Sequence, residues 1–228
     1  MTSYRIEPGS ASFRWKWRCA QILPALPSPG TPPFAKLIAA LQPFGVDARG
    51  ITFEAPGARL SDVSLNLALW RGPRLQITCE GFEVIDEPFL DEHLSLLPKL
   101  VGIAHLAIRE CSPDGPSGRY QITYSAHLGL APGKAGLILG AHLSSKEGDQ
   151  ELAPDAFAYT LQPAARSDVV EMRLVIAKSL RLPEGVYVEL MAVYRGELSP
   201  EDLALCARRD SLDALARFGL ENEPGGAI

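Results

Sequence analysis

Hydrophobic and polar positions alternate strictly over residues 12–20 of the chain. Large apolar side chains occupy every second position, and cations fill the positions between them: Phe13, Trp15, Trp17 and Cys19 against Arg14, Lys16 and Arg18. A period of two places successive side chains on opposite faces of a β-strand. The pattern therefore predicts a half-buried strand with an aromatic inner face and a basic outer face.

Further alternating segments predict strands at 51–54, 63–69, 75–84, 169–176 and 186–194. In the third of these the phase reverses at Gly81, which predicts a β-bulge. Apolar residues at helical spacing predict three helices: a short one that begins after Thr31, one from about residue 87 with a kink at Pro98, and one capped by Ser199. A cap-like Asp210 predicts that this last helix breaks and restarts.

A mirrored pair of sequences predicts a β-hairpin over residues 119–145. The letters AHLG at 126–129 are followed by LGAH at 139–142. Folding about residues 133–136 places His127 opposite His142 and divides apolar from polar side chains onto two faces. A slip of one residue would mix these faces, so the pattern favours this register.

The order strand, turn, strand, helix occurs at about 63–105 and again at about 169–218. We therefore expect an α+β fold in one compact domain, 1–228, with a mainly antiparallel and strongly curved sheet. The two halves, about 1–112 and 113–228, would form an internal pseudo-repeat, each closed by a helix. Chance recurrence of a common motif is the alternative. Residues 219–228 are predicted to be a flexible tail.

Composition narrows the class of partner. The 228 residues are 46% hydrophobic and 21% charged, with a net charge of −5, which is typical of a globular protein and gives no electrostatic reason to expect a nucleic acid. We expect a soluble, cytoplasmic protein without a membrane partner, because the chain has no long apolar run and no signal-peptide pattern. The four widely spaced cysteines are expected to be reduced. Abundant Ala, Leu, Gly, Pro and Arg are compatible with a GC-rich bacterial genome.

His127 and His142 are the candidate metal ligands. Residues opposite each other on antiparallel strands have Cβ atoms about 5 Å apart, so two imidazoles could share zinc or another transition metal. Zinc usually takes three or four protein ligands, and no carboxylate or thiol lies at a matching position. The alternative is a solvated polar sheet face, and on that interpretation no cofactor is expected.

Arg14, Lys16 and Arg18 are the candidate partner-binding residues, because their strand presents them to solvent. Single-stranded nucleic acid stacked on the tryptophans is an alternative, but alternation turns those rings inward. A buried structural role is favoured for His93, and Cys111 beside His105 lacks a third catalytic partner. The loop at 129–135 has neither the spacing nor the hydroxyl of a phosphate-binding loop.

Three functional hypotheses follow from these observations. The first is a non-catalytic binding protein that holds a protein partner or a small ligand on its sheet surface or in a cavity. The second is a metal-dependent enzyme centred on His127 and His142. The third is a subunit of a larger assembly, and the pattern is compatible with a homo-oligomer. No catalytic motif occurs in the sequence, which favours the first hypothesis.

Overall fold

The chain folds around one large open sheet with helices packed against it. The computed structural model describes residues 2–55, 57, 62–70, 72–112, 117–141, 146–147, 150–151, 156–161, 168–195 and 198–222. Within these residues eleven strands form the sheet and two very short strands pair separately. All pairings in the large sheet except one are antiparallel. The α+β class and the mainly antiparallel sheet are therefore confirmed.

Helices follow four of the strands along the described chain. The strands are β1 Thr2–Ile6, β2 Ser12–Cys19, β3 Ile51–Glu54, β4 Ser64–Ala68, β5 Arg74–Thr78, β6 Gly81–Asp86, β7 Gly118–Leu130, β8 Lys146–Glu147, β9 Gln150–Glu151, β10 Ala156–Leu161, β11 Val169–Lys178, β12 Gly185–Arg195 and β13 Leu220–Asn222. The helices are α1 Pro32–Leu41, α2 Leu97–Cys111, α3 Lys134–Ala141 and α4 Pro200–Arg217. Helix α1 comes after β2, α2 after β6, α3 after β7 and α4 after β12. None of these helices is long and apolar enough to span a bilayer.

Strands β2 and β7 pair with each other at the middle of the sheet. On one side the order continues outward through β6, β5, β4 and β3, and on the other through β12, β11 and β10. Strand β1 adds to the end of β7, and β13 pairs with β1 in parallel. The sequence predicts a flexible tail from residue 219, whereas Leu220–Asn222 forms this strand and Leu220 is buried.

The alternation in β2 has the predicted outcome. Phe13, Trp15 and Trp17 are buried on the face that carries the helices, while Arg14 and Arg18 are exposed on the opposite face. Helix α2 packs between α1 and α4 over this aromatic layer. Because burial of one large apolar side chain contributes about 1.5–3 kcal/mol, this layer is a major source of stability.

Four local predictions are wrong, each for a physical reason. The first is the bulge at Gly81. Thr78 pairs with Gly81 across a two-residue turn, so β5 and β6 form a hairpin and the alternation restarts after the turn. Gly81 has φ 139°, and a Cβ there would overlap the carbonyl oxygen of Trp17. A glycine is therefore required at this position.

The second wrong prediction is the kinked helix from residue 87. The Glu87–Pro88 peptide bond is cis, a short 3-10 segment covers Asp91–Ser95, and α2 begins only at Leu97. Pro98 lies in the first turn of α2, where the missing backbone N–H costs no hydrogen bond. The proline thus starts a helix rather than bending one.

The third is the hairpin over 119–145. Strand β7 ends at Leu130, and α3 replaces the expected return strand. Ala135, Ile138 and Leu139 are buried at the i, i+3, i+4 spacing of a helix. Both edges of β7 are instead occupied by strands distant in sequence, so Gly129 pairs with Gly185 rather than with residue 140.

The fourth is the break in the last helix. Helix α4 is continuous, and Ser199 caps it by accepting a hydrogen bond from the backbone N–H of Asp202, as predicted. Asp210 does not restart the helix. Its buried carboxylate accepts a hydrogen bond from the hydroxyl of Tyr194 at 2.8 Å, which ties α4 to β12.

A partly buried histidine makes a similar link between α2 and the sheet. The Nδ1 of His105 lies 2.8 Å from the hydroxyl oxygen of Tyr120, and its ring packs 4.9 Å from that of Trp17. Burial lowers the pKa of His105 from the ordinary value of 6.5, and the nearby Arg109 acts in the same direction. The imidazole is therefore neutral in the folded chain at neutral pH.

We expect the free energy of unfolding to fall as the pH drops below about 6.5. The unfolded chain then binds a proton at His105 that the folded chain does not bind, so protonation favours unfolding. His105→Asn should reduce this dependence, since the amide reaches Tyr120 but does not titrate. Urea denaturation between neutral pH and about pH 5 measures the effect.

The matched control for this experiment is Tyr120→Phe. It removes the hydrogen bond but keeps the partly buried imidazole, so the pH dependence should persist. A His105→Asn chain as sensitive to pH as the wild type would contradict the assignment.

Candidate functional site

A polar groove lies on the sheet face opposite the helices. Its volume is about 580 Å³, and every residue that lines it is polar or charged. The floor comes from β2, β6, β7 and β12, and three further residues lie just outside strands: Ser10 before β2, Glu87 after β6 and Arg181 after β11. The lining residues are Ser10, Ser12, Arg14, Lys16, Arg18, Glu83, Glu87, Gln121, Thr123, Ser125, His127, Arg181, Tyr187 and Glu189. Alternation thus makes an aromatic core on one face and this groove on the other.

The strand register fixes which polar groups are neighbours in the groove. Lys16 lies between Glu83 of β6 and Gln121 of β7. One guanidinium nitrogen of Arg14 lies 3.8 Å from a carboxylate oxygen of Glu87, and both side chains are half exposed. Such exposed pairs contribute little to stability, so these charges stay available to a ligand.

Ser179 determines the hydrogen-bonding state of His127 at one end of the groove. The hydroxyl oxygen of Ser179 accepts hydrogen bonds from the backbone N–H groups of Arg181 and Leu182, at 3.1 and 2.9 Å. These bonds use the two lone pairs of the oxygen. The Ser179 proton therefore points to Nδ1 of His127, which lies 2.8 Å away. A neutral His127 then carries its own proton on Nε2.

Charge and burial favour this neutral form of His127. Burial lowers the pKa of His127, the cation of Arg181 lowers it further, and Glu7 opposes both effects. The backbone N–H of His127 donates to the hydroxyl oxygen of Ser10 at 3.1 Å, which fixes the strand at this point. At neutral pH the imidazole can therefore act as a hydrogen-bond donor through Nε2.

Tyr187 is the residue opposite His127 on β12, and their ring centroids are 5.2 Å apart. Its hydroxyl donates to Glu189 at 3.0 Å. Burial is the largest cause that raises the pKa of Tyr187, so the hydroxyl keeps its proton. This end of the groove therefore offers the Nε2–H group of a neutral His127 as a donor and the hydroxyl oxygen of Tyr187 as an acceptor, beside the charge of Arg181.

The structure brings together four of the five residues singled out in the sequence. Arg14, Lys16, Arg18 and His127 all line the groove. His142 lies outside the described residues, so the proposed metal pair stays a prediction, although the hairpin register from which it was derived is wrong. Among the residues that the structure describes, no group of three His, Cys, Asp or Glu side chains could hold a metal ion.

Sequence reasoning missed the contributions of Glu83, Arg181, Tyr187 and Glu189 to the groove. Tyr187 and Glu189 alternate with buried residues of β12, so their outward direction was readable from the pattern. The position of these two residues beside β7 could not be predicted from the pattern, because it depends on the pairing of strands that are distant along the chain.

A second histidine forms a buried pair with an aspartate. The Nδ1 of His93 lies 2.9 and 3.1 Å from the two carboxylate oxygens of Asp86, and both side chains are buried. Desolvation by burial raises the pKa of Asp86, while the contact with His93 acts in the opposite direction. Because the pair joins the end of β6 to the segment Asp91–Ser95, its geometry favours the structural role predicted for His93.

Comparisons with known proteins give no relative from which a role could be transferred. No protein-family model, no curated protein and no solved structure matches the chain.

Proposed function

We propose that the chain is a non-catalytic binding protein that holds a small polar ligand in the groove of its central strands. One observation carries the proposal: the middle of the sheet presents a groove of about 580 Å³ whose lining is entirely polar or charged. Ligand pockets commonly have volumes of roughly 300–1,000 Å³. A volume of this size suits a small molecule better than the flat surface of a protein partner.

The lining also indicates the chemistry of the ligand. Four cations, Arg14, Lys16, Arg18 and Arg181, face three carboxylates of Glu83, Glu87 and Glu189. Hydroxyl groups and the imidazole of His127 add neutral hydrogen-bonding groups. Such a mixture suits a ligand that has an anionic group together with hydroxyl or amine groups, because each buried polar group then finds a partner.

The closest arrangement to a catalytic pair is Ser179 with His127, and its geometry favours binding over chemistry. A nucleophilic oxygen needs a lone pair directed at the substrate. Both lone pairs of Ser179 accept backbone N–H groups, and the side chain is only 5% exposed. The serine holds the turn after β11 and orients the imidazole.

We also infer that the two halves are an internal pseudo-repeat. In each half the first long strand pairs with the last one, β2 with β6 and β7 with β12, and a helix follows. The last strand of each pair, β6 or β12, begins with a glycine, Gly81 or Gly185. Each of these glycines pairs with the second-to-last residue of its partner strand, β2 or β7. A Cβ on Gly81 would meet the carbonyl oxygen of Trp17, and one on Gly185 would lie 2.7 Å from that of Leu128. The shared close contact supports a common origin for the two units.

We expect Thr123→Trp to weaken ligand binding strongly, because Thr123 lies within the groove and an indole would occupy part of its volume. The fold should persist, since tryptophan is well accepted at exposed strand positions. Native mass spectrometry of tag-free protein measures the effect. The wild-type chain should carry the additional mass of a small molecule, either as purified or after incubation with citrate, glutamate or glucose 6-phosphate.

Thr52→Trp is the matched control, because it makes the same substitution at an exposed position of the edge strand β3, away from the groove. It should bind as the wild type does. A wild-type chain that stays bare under all these conditions, or equal binding by both variants, would show that the groove is not the binding site.

The pseudo-repeat leads to a prediction about stability. Gly185→Ala should lower the free energy of unfolding by about 1–3 kcal/mol, because the added methyl group meets the Leu128 carbonyl and the Leu182 side chain. Gly102→Ala, within α2, is the control. There a Cβ meets nothing within 4 Å, so the change should stabilise the helix by about 1 kcal/mol. Chemical denaturation compares the two, and a neutral Gly185→Ala would remove the argument from equivalent glycines.

A further inference from the structure

Three arginines lie side by side across the three central strands. Arg119 of β7 pairs with Arg18 of β2 on one side and with Arg195 of β12 on the other. Directly paired residues share a face of the sheet, and their Cβ atoms are about 4.5–5.5 Å apart. This arginine row, Arg18, Arg119 and Arg195, lies on the groove face and includes the groove residue Arg18. All three side chains are exposed.

The arginine row differs from the rest of the groove because each of its members has another arginine directly opposite, although the acid Asp168 lies across from Arg195 on the far side of β12. Lys16 has Glu83 directly opposite, and Arg14 has Glu87 within 4 Å. Like charges placed directly opposite each other destabilise a strand pair. The free protein thus has a local repulsion that an anion would relieve.

We propose that the arginine row is a phosphate-binding subsite, which takes the phosphate group of a small phosphorylated ligand held in the groove. This inference rests on the proposed function. A guanidinium group presents N–H donors in a planar fork that matches two oxygens of a phosphate. Three adjacent forks can surround a tetrahedral dianion, whereas a planar carboxylate has only two oxygens to offer. The geometry therefore favours phosphate over carboxylate.

The acids of the groove limit how far a chain of phosphates could extend. Along β2 and its neighbours the arginine row is followed by Glu83, then by Glu87 and Glu189. A polyanion that followed the groove would meet these carboxylates, while a single terminal phosphate would not. The ligand that fits is one phosphate at the row, with hydroxyl or amine groups toward Lys16 and Gln121, the next groove residues along β2 and β7.

The test is Arg119→Gln, which removes the middle cation of the row. Two opposite effects are expected. Without phosphate, the variant should be at least as stable as the wild type, because the repulsion within the row is relieved. With inorganic phosphate, the midpoint of thermal unfolding should rise for the wild type and respond roughly tenfold more weakly for the variant. Sodium chloride at equal ionic strength corrects for general screening.

Arg173→Gln is the matched control, because Arg173 is a single exposed arginine on the same face, in β11, and does not line the groove. It should respond to phosphate as the wild type does. Glucose 6-phosphate compared with inorganic phosphate distinguishes an esterified phosphate from the free ion, and its comparison with glucose isolates the effect of the phosphate group. A larger rise of the unfolding midpoint with glucose 6-phosphate than with either inorganic phosphate or glucose supports a subsite within the larger groove.

Two outcomes would overturn the subsite. One is a wild-type midpoint that phosphate and glucose 6-phosphate leave unchanged relative to chloride. The other is an Arg119→Gln chain that responds as strongly as the wild type. The groove itself is tested separately by Thr123→Trp. If that variant loses a ligand while Arg119→Gln retains it, the subsite fails and the proposed function stands.

Discussion

The structure depends on the antiparallel pairing of β2 with β7. This contact joins the two halves of the chain at the middle of the sheet, and each half then adds its own strands outward. On the helix face the pairing aligns Trp17, Tyr120 and Tyr194 in one row of almost completely buried rings. The hydroxyl of Tyr120 contacts His105 of α2, and that of Tyr194 contacts Asp210 of α4. One row of side chains thus fixes both long helices against the sheet.

The same register determines the chemistry of the opposite face. Each residue of the aromatic row is next in sequence to a member of the arginine row: Trp17 to Arg18, Tyr120 to Arg119 and Tyr194 to Arg195. A change of register by one residue would turn the aromatic rings toward solvent. The core and the groove are therefore not independent, since the aromatic packing that selects the register also places the cations beside each other.

The sequence was sufficient for elements whose signals are local. Alternation in residues 12–19 predicted β2 and its two faces, and the serine and proline before residue 201 predicted the start of α4. The sequence was not sufficient where one pattern of apolar residues is compatible with two different structures. The apolar residues of 134–141 suit a helix as well as a strand, and the mirrored letters around them carried no information about pairing. Gly81 marked a true interruption, but a turn and a bulge both reverse the phase of alternation.

The groove was predictable only in part for the same reason. The outward direction of Arg14, Lys16 and Arg18 is local, and it was correct. The arginine row, by contrast, needs the register of three strands drawn from distant parts of the chain, which depends on long-range packing rather than on neighbouring residues.

The energies explain how the fold can hold three arginines directly beside one another. Exposed like-charge pairs across strands cost a few tenths of a kcal/mol to about 1 kcal/mol each. The buried aromatic side chains directly behind them contribute about 1.5–3 kcal/mol each, and edge-on contacts such as that of Trp15 with Tyr120 add to this. The packing term is larger, so the aromatic face fixes the register and the repulsion on the opposite face persists. A surface charge arrangement that the core imposes in this way is fixed without a ligand, which is the preorganisation that the proposed phosphate subsite requires.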